Sequence, residues 1–305
     1  MQGKIVKGVG GFYYVHLHLC RDNTIYECKA KGSFRNQNIK PKIGDDVEVD
    51  ILDDSKHLGN ITRIMPRRNS LVRPAVSNVD QAVIVFAYKN PEPNFNLLDR
   101  FLIMLEQQGL KSVVCINKND LEKSVADVDK SSDRLSAEDI RRIYEGCGYK
   151  TVLCSTYTGE GIDDIKSIIK GKTTVFAGPS GVGKSSLLNS INPYANVATG
   201  ELSEKIKRGK HTTRHSELMY IGDASFIMDT PGFSSLEVFD TEPYELKEYY
   251  EEFQEVSAQC RFNGCVHINE PDCGVKNAVK SGVISELRYN NYRQIYEELK
   301  SKRKW

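Results

Sequence analysis

The stretch 178–186, GPSGVGKSS, constrains the fold of this chain more than any other part of its sequence. It follows an apolar run, 174–177, that predicts a buried strand, and it precedes a predicted helix start at 187–189. Glycines at this spacing let backbone N–H groups surround a polyphosphate, and the positive end of the following helix faces the same anion. The sequence therefore predicts a phosphate-binding P-loop, G-x-x-x-x-G-K-S.

Residues of the P-loop are predicted to bind the phosphates and the Mg²⁺ ion of a nucleoside triphosphate. Lys184 would bridge the β- and γ-phosphates, and the Ser185 hydroxyl would ligate Mg²⁺. The other candidate nucleotide-binding residues of the loop are Gly178, Ser180, Gly181, Val182, Gly183 and Ser186. Nucleotide kinases of the guanylate kinase type carry a similar loop, so this motif alone leaves the class of enzyme open.

Strands and helices alternate from residue 79 onward. This alternation predicts a parallel sheet covered by helices on both faces, with ligands at the carboxyl ends of its strands. The predicted strands before the P-loop are 79–88, 112–116 and 151–154, and the predicted helices are 96–108, 137–146 and 163–170.

Two loops at strand ends predict a guanine site. Asn117-Lys118-Asn119-Asp120 is an N-K-x-D motif, in which Asp120 would accept hydrogen bonds from guanine N1–H and the 2-amino group, selecting GTP over ATP. Asn117 would tie this loop to the P-loop, and the Lys118 stem would lie over the base. Ser155 and Thr156 belong to a loop similar to S-A-x-x-G-x-G, with Thr156 in place of Ala, whose backbone would support the guanine.

A polar stretch, 192–216, predicts a switch loop, in which Thr212 or Thr213 would reach Mg²⁺ and sense the γ-phosphate. Two strands, 217–221 and 224–228, then predict a hairpin that ends in the sequence DTPG. There Asp229 would hold Mg²⁺ through water, and the Gly232 N–H would contact the γ-phosphate.

The residue after this glycine is Phe233, which cannot orient water as the Gln of many GTPases does. Slow intrinsic hydrolysis is therefore expected. His211 would position the attacking water, and Arg208 or Arg214 would offset γ-phosphate charge. A solvated loop residue or an RNA contact remains the alternative for His211.

The motif order is unusual. Standard GTPases place the P-loop first and N-K-x-D later, whereas this chain runs N-K-x-D, P-loop, switch, D-T-P-G. The order predicts a circularly permuted GTPase domain. The chain leaving Gly232 passes directly into a C-terminal module, so switch movement could change a partner-binding surface.

The C-terminal module predicts one structural Zn²⁺ ion. Its pattern C-x4-C-x-H-x5-C supplies a closed tetrahedral set of three thiolates and one imidazole, from Cys260, Cys265, His267 and Cys273. An acidic helix is predicted at 241–258 and further helices at 275–305. The basic tail suits phosphate attraction or is disordered.

The first 68 residues predict a small β-barrel. Four β-rich runs, at 11–17, 24–30, 46–52 and 59–64, are separated by turns, and the basic balance suits an OB-fold that binds RNA. A β domain that only packs on its neighbour is the alternative. His16 and His18 are expected at the surface, and 65–69 reads as a basic linker.

No targeting or membrane-spanning segment is predicted, so we expect a cytoplasmic protein without membrane contact, and a monomer. Taken together, the patterns predict a multidomain chain. Its parts are an N-terminal OB-fold β-barrel at 1–68, an α/β P-loop GTPase domain, circularly permuted, at 69–236, and a helical zinc-binding domain at 237–305.

The permuted order, GPSGVGKSS, the run RGKHTT at 208–213, DTPGF at 229–233 and the cysteine–histidine cluster together resemble the RsgA family, also called YjeQ or YloQ. The resemblance spans the whole chain. It implies a GTPase that binds the 30S subunit and 16S rRNA late in maturation, with weak hydrolysis that the 30S subunit stimulates. It also implies GTP and GDP as ligands and His211 as the family's proposed catalytic histidine.

Two alternatives from other classes remain. A nucleotide kinase would need an acceptor site and has no use for N-K-x-D. An RNA-binding assembly protein in which GTP is only a conformational ligand would be compatible with Phe233.

Overall fold

The computed structural model describes residues 1–20, 22–32, 34, 40–72, 74–122, 135–192, 217–230 and 241–302. The chain forms two compact units. Unit 1 comprises Met1–Val83, Gly159–Ala177 and Gly183–Gly232, and unit 2 comprises Ile84–Thr158, Gly178–Val182 and Phe233–Trp305. Within the described ranges, no helix has the length and apolar character needed to cross a membrane.

The first part of unit 1 is a closed barrel, which confirms the predicted β-barrel. Its strands follow the order β1-β2-β3-β5-β4, with β3 and β5 parallel and the other neighbours antiparallel, as in an OB-fold. Ile5, Val15, Val49 and Ile61 fill the interior and are fully buried. The strands are β1 (Gln2–Val9), β2 (Phe12–Leu17), β3 (Ile25–Ala30), β4 (Asp46–Asp53) and β5 (Leu58–Ile64).

Strand β1 lies where the sequence pattern predicts no strand. Its register shifts between Ile5 and Lys7, so that both Ile5 and Val6 are buried and the alternation typical of a strand is lost. The turn to β2 is made by Gly10 and Gly11, with φ angles of 60° and 87°, which lie in the left-handed region that favours glycine.

Six further strands form a sheet in the order β10-β11-β9-β6-β7-β8, which confirms the predicted α/β architecture. All seven residues of β6 are buried, as expected for a strand covered on both faces. The antiparallel pairing of β10 with β11 confirms the predicted hairpin. The elements are β6 (Gln81–Ala87), α1 (Phe95–Gln107), β7 (Lys111–Asn117), α2 (Ala137–Gly146), β8 (Lys150–Leu153), α3 (Ile162–Ile169), β9 (Thr173–Ala177), α4 (Lys184–Ile191), β10 (Leu218–Tyr220) and β11 (Phe226–Asp229).

The surface position expected for His16 is wrong. Only 1% of this residue is exposed, because its ring stacks on Tyr220 of β10 with ring centroids 4.0 Å apart. Its Nε2 lies 2.8 Å from the Asp22 carbonyl oxygen. The expectation holds for His18, whose side chain is 44% exposed.

The basic stretch 65–69 is not a free linker. Arg67 makes two hydrogen bonds to the buried Asp45 carboxylate, at 2.6 and 2.8 Å, and Arg68 pairs with Asp80. These ion pairs hold the stretch to neighbouring parts of unit 1, so both guanidinium groups already have carboxylate partners.

The C-terminal part of unit 2 is helical, as predicted, but the single acidic helix expected at 241–258 is wrong. The segment breaks at Tyr250, whose φ and ψ of −114° and 88° are not helical. This residue is fully buried and stacks on Phe253, which fixes the break. The elements are a 3₁₀ helix (Pro243–Tyr249), α5 (Glu251–Ser257), α6 (Gly274–Lys280) and α7 (Glu286–Lys302).

A buried ionic network joins α1 to the C-terminal helices within unit 2. Arg288 of α7 is 1% exposed and donates to Asp99 of α1 and, at 2.8 Å, to Glu252 of α5. Asn291 and Tyr144 donate to the Asp99 carboxylate at 2.7 and 3.0 Å. Every charge in this network therefore has an opposite partner, as burial requires.

We expect Asp99→Ala to destabilise the chain by roughly 3 kcal/mol, because it leaves buried donors of Arg288, Asn291 and Tyr144 without an acceptor. The measurement is the shift in the urea midpoint followed by circular dichroism. Glu298→Ala is the matched control: it breaks the surface pair of Glu298 with Arg100, which also joins α1 to α7. The control should cost at most about 1 kcal/mol. Equal small shifts in both variants would contradict this account of the network.

Candidate nucleotide site and metal centre

The P-loop connects β9 to α4, so the predicted strand–loop–helix context is present. The helix begins at Lys184, three residues before its predicted start. Gly178, Gly181 and Gly183 have φ angles of 143°, 81° and 89°, which side chains rarely adopt. A Cβ on Gly178 would lie 2.1 Å from the carbonyl oxygen of Val85, so only glycine fits there. The loop conformation thus depends on its glycines.

Asn117 joins the N-K-x-D loop to the P-loop. Its side chain is fully buried, and Nδ2 donates to the Val182 carbonyl oxygen at 2.9 Å. Lys118 donates from Nζ to the carbonyl oxygens of Gly181, at 2.7 Å, and of Asn90. The tie expected for Asn117 is present, and the Lys118 ammonium adds a second.

Asp120 is held by the following strand-end loop. The Ser155 hydroxyl donates to Asp120 Oδ1 at 2.6 Å and accepts from the backbone N–H groups of Tyr157 and Thr158 at 3.2 and 3.1 Å. This chain of hydrogen bonds orients the carboxylate. A side-chain role for Ser155 was missed by the sequence argument, which assigned backbone support to the loop.

Asp229 lies at the end of β11, opposite Lys184. Lys184 Nζ is 3.6 Å from Asp229 Oδ1, too long for a hydrogen bond, and this buried oxygen has no hydrogen-bond partner among the described residues. The neighbouring Thr230 hydroxyl donates to the Phe176 carbonyl oxygen at 2.7 Å and fixes the strand end. A buried carboxylate oxygen with unused acceptor capacity fits a water-mediated contact to Mg²⁺.

Several predicted site residues lie outside the described ranges. They are the switch-loop residues Arg208, His211, Thr212, Thr213 and Arg214, together with Gly232 and Phe233.

The four zinc ligands predicted from sequence lie together in unit 2. The candidate ligand atoms of Cys260, Cys265, His267 and Cys273 all lie within 4.8 Å of one another. His267 Nδ1 is 3.4 Å from Cys273 Sγ and 3.6 Å from Cys260 Sγ, and the two sulfur atoms are 3.9 Å apart. Ligands around a tetrahedral zinc ion with Zn–S bonds of about 2.3 Å have similar separations. The cluster can therefore hold one metal ion.

Neighbouring groups orient the His267 imidazole and keep it neutral, as a metal ligand requires. Its Nε2 lies 3.3 Å from the Ser257 hydroxyl, which leaves Nδ1 facing the thiols. Burial lowers the pKa of His267 to about 4, with a smaller contribution from Lys247, so the imidazole is neutral at physiological pH. Tyr289 donates to the His267 carbonyl oxygen at 2.8 Å. Ser257 and Tyr289 belong to helices α5 and α7, so the spacing of the four ligands gives no signal for them.

Burial raises the pKa of the Cys265 thiol to about 12. The same effect raises the pKa of Cys273. A metal ion that binds these sulfur atoms must therefore displace protons, and its affinity depends on pH.

A cleft of about 620 Å³ opens on the barrel at the β1–β2 turn. Its lining includes Phe12 and three lysines, Lys29, Lys31 and Lys40. The Lys29 ammonium lies 5.2 Å from the centre of the Phe12 ring. Positive charge beside an aromatic ring is the chemistry that binds single-stranded nucleic acid.

Comparisons with known proteins cover nearly the whole chain. The RsgA N-terminal domain family matches residues 2–59, and the RsgA GTPase family matches residues 64–239. A protein of Agathobacter rectalis named small ribosomal subunit biogenesis GTPase RsgA is 52% identical, with 100% of both chains covered. A relative of the same name from Alkaliphilus metalliredigens is 44% identical over 100% of this chain and 99% of its own.

Solved structures give the same result. YjeQ from Thermotoga maritima has a TM-score of 0.78 and 38% identity, with 98% of each chain covered. YloQ, described as a circularly permuted GTPase, has a TM-score of 0.77 and 36% identity over 100% of this chain and 96% of its own. With the P-loop, the permuted motif order and both family matches in one chain, this protein belongs to the RsgA family of circularly permuted GTPases and is a GTP hydrolase.

Proposed function

We propose that this GTPase acts in biogenesis of the small ribosomal subunit, binds the 30S subunit through its 16S rRNA, and hydrolyses GTP faster when bound. The observation that carries the proposal is the 52% identity, over both complete chains, to a relative named for small ribosomal subunit biogenesis. GTP and GDP are its small-molecule ligands. The family match gives no support to the nucleotide kinase alternative.

The guanine base would bind at the loop of Asp120. The hydrogen bond from Ser155 holds the Asp120 carboxylate in one orientation. A fixed carboxylate favours guanine, whose N1–H and 2-amino group are adjacent donors. The Asn117–Val182 hydrogen bond keeps the loop beside the first part of the P-loop. Backbone atoms of Ser155 and Thr156 would complete the support of the base.

The phosphates would bind at the P-loop amides and Lys184. The proposed ligands of Mg²⁺ are the Ser185 hydroxyl, Asp229 through a water molecule, and the hydroxyl of Thr212 or Thr213. The Gly232 N–H would donate to the γ-phosphate. The bound cation would neutralise charge that develops on the phosphate oxygens. Asp229 Oδ1 has no hydrogen-bond partner in the described part of the chain, which supports this assignment.

Residues of the switch loop would position the water molecule that attacks the γ-phosphate. Phe233 offers no group to orient water, so His211 would hold the attacking water, while Arg208 or Arg214 would offset γ-phosphate charge. Because Phe233 supplies no water-orienting group, hydrolysis should be slow in the free protein, and we expect the bound 30S subunit to speed it.

The barrel cleft is the proposed rRNA contact. Lys29 and Lys40 form no ion pair with a carboxylate of the described chain, whereas Arg67 and Arg68 are committed to Asp45 and Asp80. The available positive charge therefore lies at the cleft rather than at 65–69. We further propose that the chain binds one structural Zn²⁺ ion. It would be a cytoplasmic monomer, with domain boundaries at residues 68 and 236.

The deciding experiment is GTP turnover with and without purified 30S subunits. We expect slow turnover alone and strong stimulation in the native chain. His211→Ala should lower stimulated turnover by roughly 100-fold or more, the usual scale of a lost general base. His215→Ala, a histidine of the same loop, is the matched control and should stay stimulated.

The outcomes separate two claims. A native chain that 30S subunits do not stimulate would overturn the ribosome-linked function and favour a nucleotide-gated RNA-binding module. Full stimulation of His211→Ala would overturn only the assignment of that residue.

We also expect each purified chain to contain one zinc ion. The variant Cys273→Ser should lose the zinc ion, and helices α6 and α7 should then lose their protection from hydrogen exchange. Cys273 is 1% exposed and belongs to the buried core of this region. Ser257→Ala should weaken zinc binding by roughly 10-fold, because Ser257 orients the histidine ligand. Cys20→Ser, in the barrel, serves as the control. Stoichiometric zinc in Cys273→Ser would show that the cluster is not the metal site.

A further inference from the structure

The β10–β11 hairpin packs against the outside of the barrel within unit 1. The His16 ring of β2 stacks on Tyr220, and its plane meets Phe226 edge-on with centroids 5.6 Å apart. The Lys4 ammonium lies 5.8 Å from the centre of the Phe226 ring. Lys7 pairs with Glu217 at 2.8 Å, just before β10. Aromatic, cation–π and ionic contacts thus converge on one short hairpin.

This contact is buried and tightly specified. His16 is 1% exposed and Phe226 is 3% exposed. Lys4 is 6% exposed, pairs with Asp46 at 2.8 Å and donates to the Gly44 carbonyl oxygen at 3.2 Å. A lysine buried this far has its position fixed by its partners, so the ammonium beside the Phe226 ring is held in place.

The other end of β11 reaches the nucleotide site. Phe226 is its first residue and Asp229 its last, so roughly 10 Å of extended strand separates the barrel contact from the Mg²⁺ candidate. Strand β11 pairs in parallel with β9 over its whole length, from Phe226 opposite Thr173 to Asp229 opposite Phe176. A shift of the hairpin on the barrel would therefore move the Asp229 carboxylate.

Strand β2 continues this connection to the barrel cleft. Phe12, at its start, lines the cleft, and His16, near its end, holds the hairpin. RNA bound in the cleft would act on one end of β2, and the candidate Mg²⁺ ligand Asp229 lies at the far end of β11. Two short strands and one aromatic contact link the two sites.

We propose that His16, Tyr220 and Phe226 are positioning residues for GTP hydrolysis, through which the barrel sets the Asp229 carboxylate for Mg²⁺. The inference rests on the proposed function and names its regulation: rRNA bound at the barrel reaches the nucleotide site through β11. By reciprocity, the Mg²⁺-bound nucleotide changes the affinity of the barrel for RNA.

The test uses the full chain with Tyr220→Ala and His16→Ala. The direct readout is the Mg²⁺ concentration that half-maximally slows release of a fluorescent GTP analogue. Both variants should raise that concentration by roughly 3- to 10-fold, the range of couplings carried between packed sites. Affinity for the analogue without Mg²⁺ should be unchanged, because the guanine contacts are not touched. Tyr220→Phe, which keeps the ring, should behave as the native chain.

Tyr14→Ala is the matched control, since Tyr14 lies on the same strand β2 but pairs with Glu27 instead of the hairpin. Stimulation by 30S subunits is then measured for all variants, with kcat and KM separated, and Tyr220→Ala should lose kcat stimulation. Native Mg²⁺ dependence in folded Tyr220→Ala and His16→Ala would overturn the inference, even if the native chain is stimulated. A native chain without stimulation would instead overturn the proposed function, while the Mg²⁺ readout still decides the positioning role.

Discussion

The hydrogen bond from Asn117 to the Val182 carbonyl oxygen is the constraint on which the guanine side of the nucleotide site depends. It joins two loops separated by 65 residues and is buried. With Lys118 bound to Gly181, it keeps the loop that carries Asp120 beside the first half of the P-loop. Ser155 then orients the Asp120 carboxylate. At the proposed guanine site these contacts hold Asp120 in place without a nucleotide, which would lower the ordering cost of binding.

Because of the circular permutation, the guanine loops come before the P-loop in the chain, and the strand that carries Asp229 leads toward the C-terminal module. That strand is the last of the sheet before this module. Arg288 and Asp99 fix that module to α1, and the cysteine–histidine cluster organises its core. The hairpin that ends in Asp229 is in turn seated on the barrel by His16. By our proposal, RNA bound at the barrel would reach the nucleotide site through this hairpin.

Much of this architecture follows from local sequence patterns. The P-loop, the N-K-x-D loop and the cysteine–histidine cluster are short motifs whose chemistry fixes both residue type and spacing, so their places in the fold could be predicted. The burial of His16 could not, because it depends on Tyr220, which lies about 200 residues away in the chain. The pairing of Asp99 with Arg288 and the ion pairs of Arg67 have the same origin in tertiary contact. Strand β1 could not be predicted because its sequence lacks the alternation that marks a strand, and its register shift lets the neighbours Ile5 and Val6 both be buried. The domain boundaries and the roles of the switch-loop residues stay predictions.

We propose that one carboxylate, that of Asp120, selects guanine. This selection is tested by measuring the dissociation constants of GTP and xanthosine triphosphate for the native chain, Asp120→Asn and the control Asn119→Ala. An asparagine amide would donate to the xanthine 2-oxo group and meet the guanine 2-amino group as a second donor. We therefore expect Asp120→Asn to weaken GTP binding by roughly 100-fold or more and to gain affinity for xanthosine triphosphate, with Asn119→Ala unchanged. Unaltered GTP preference in Asp120→Asn would contradict the account.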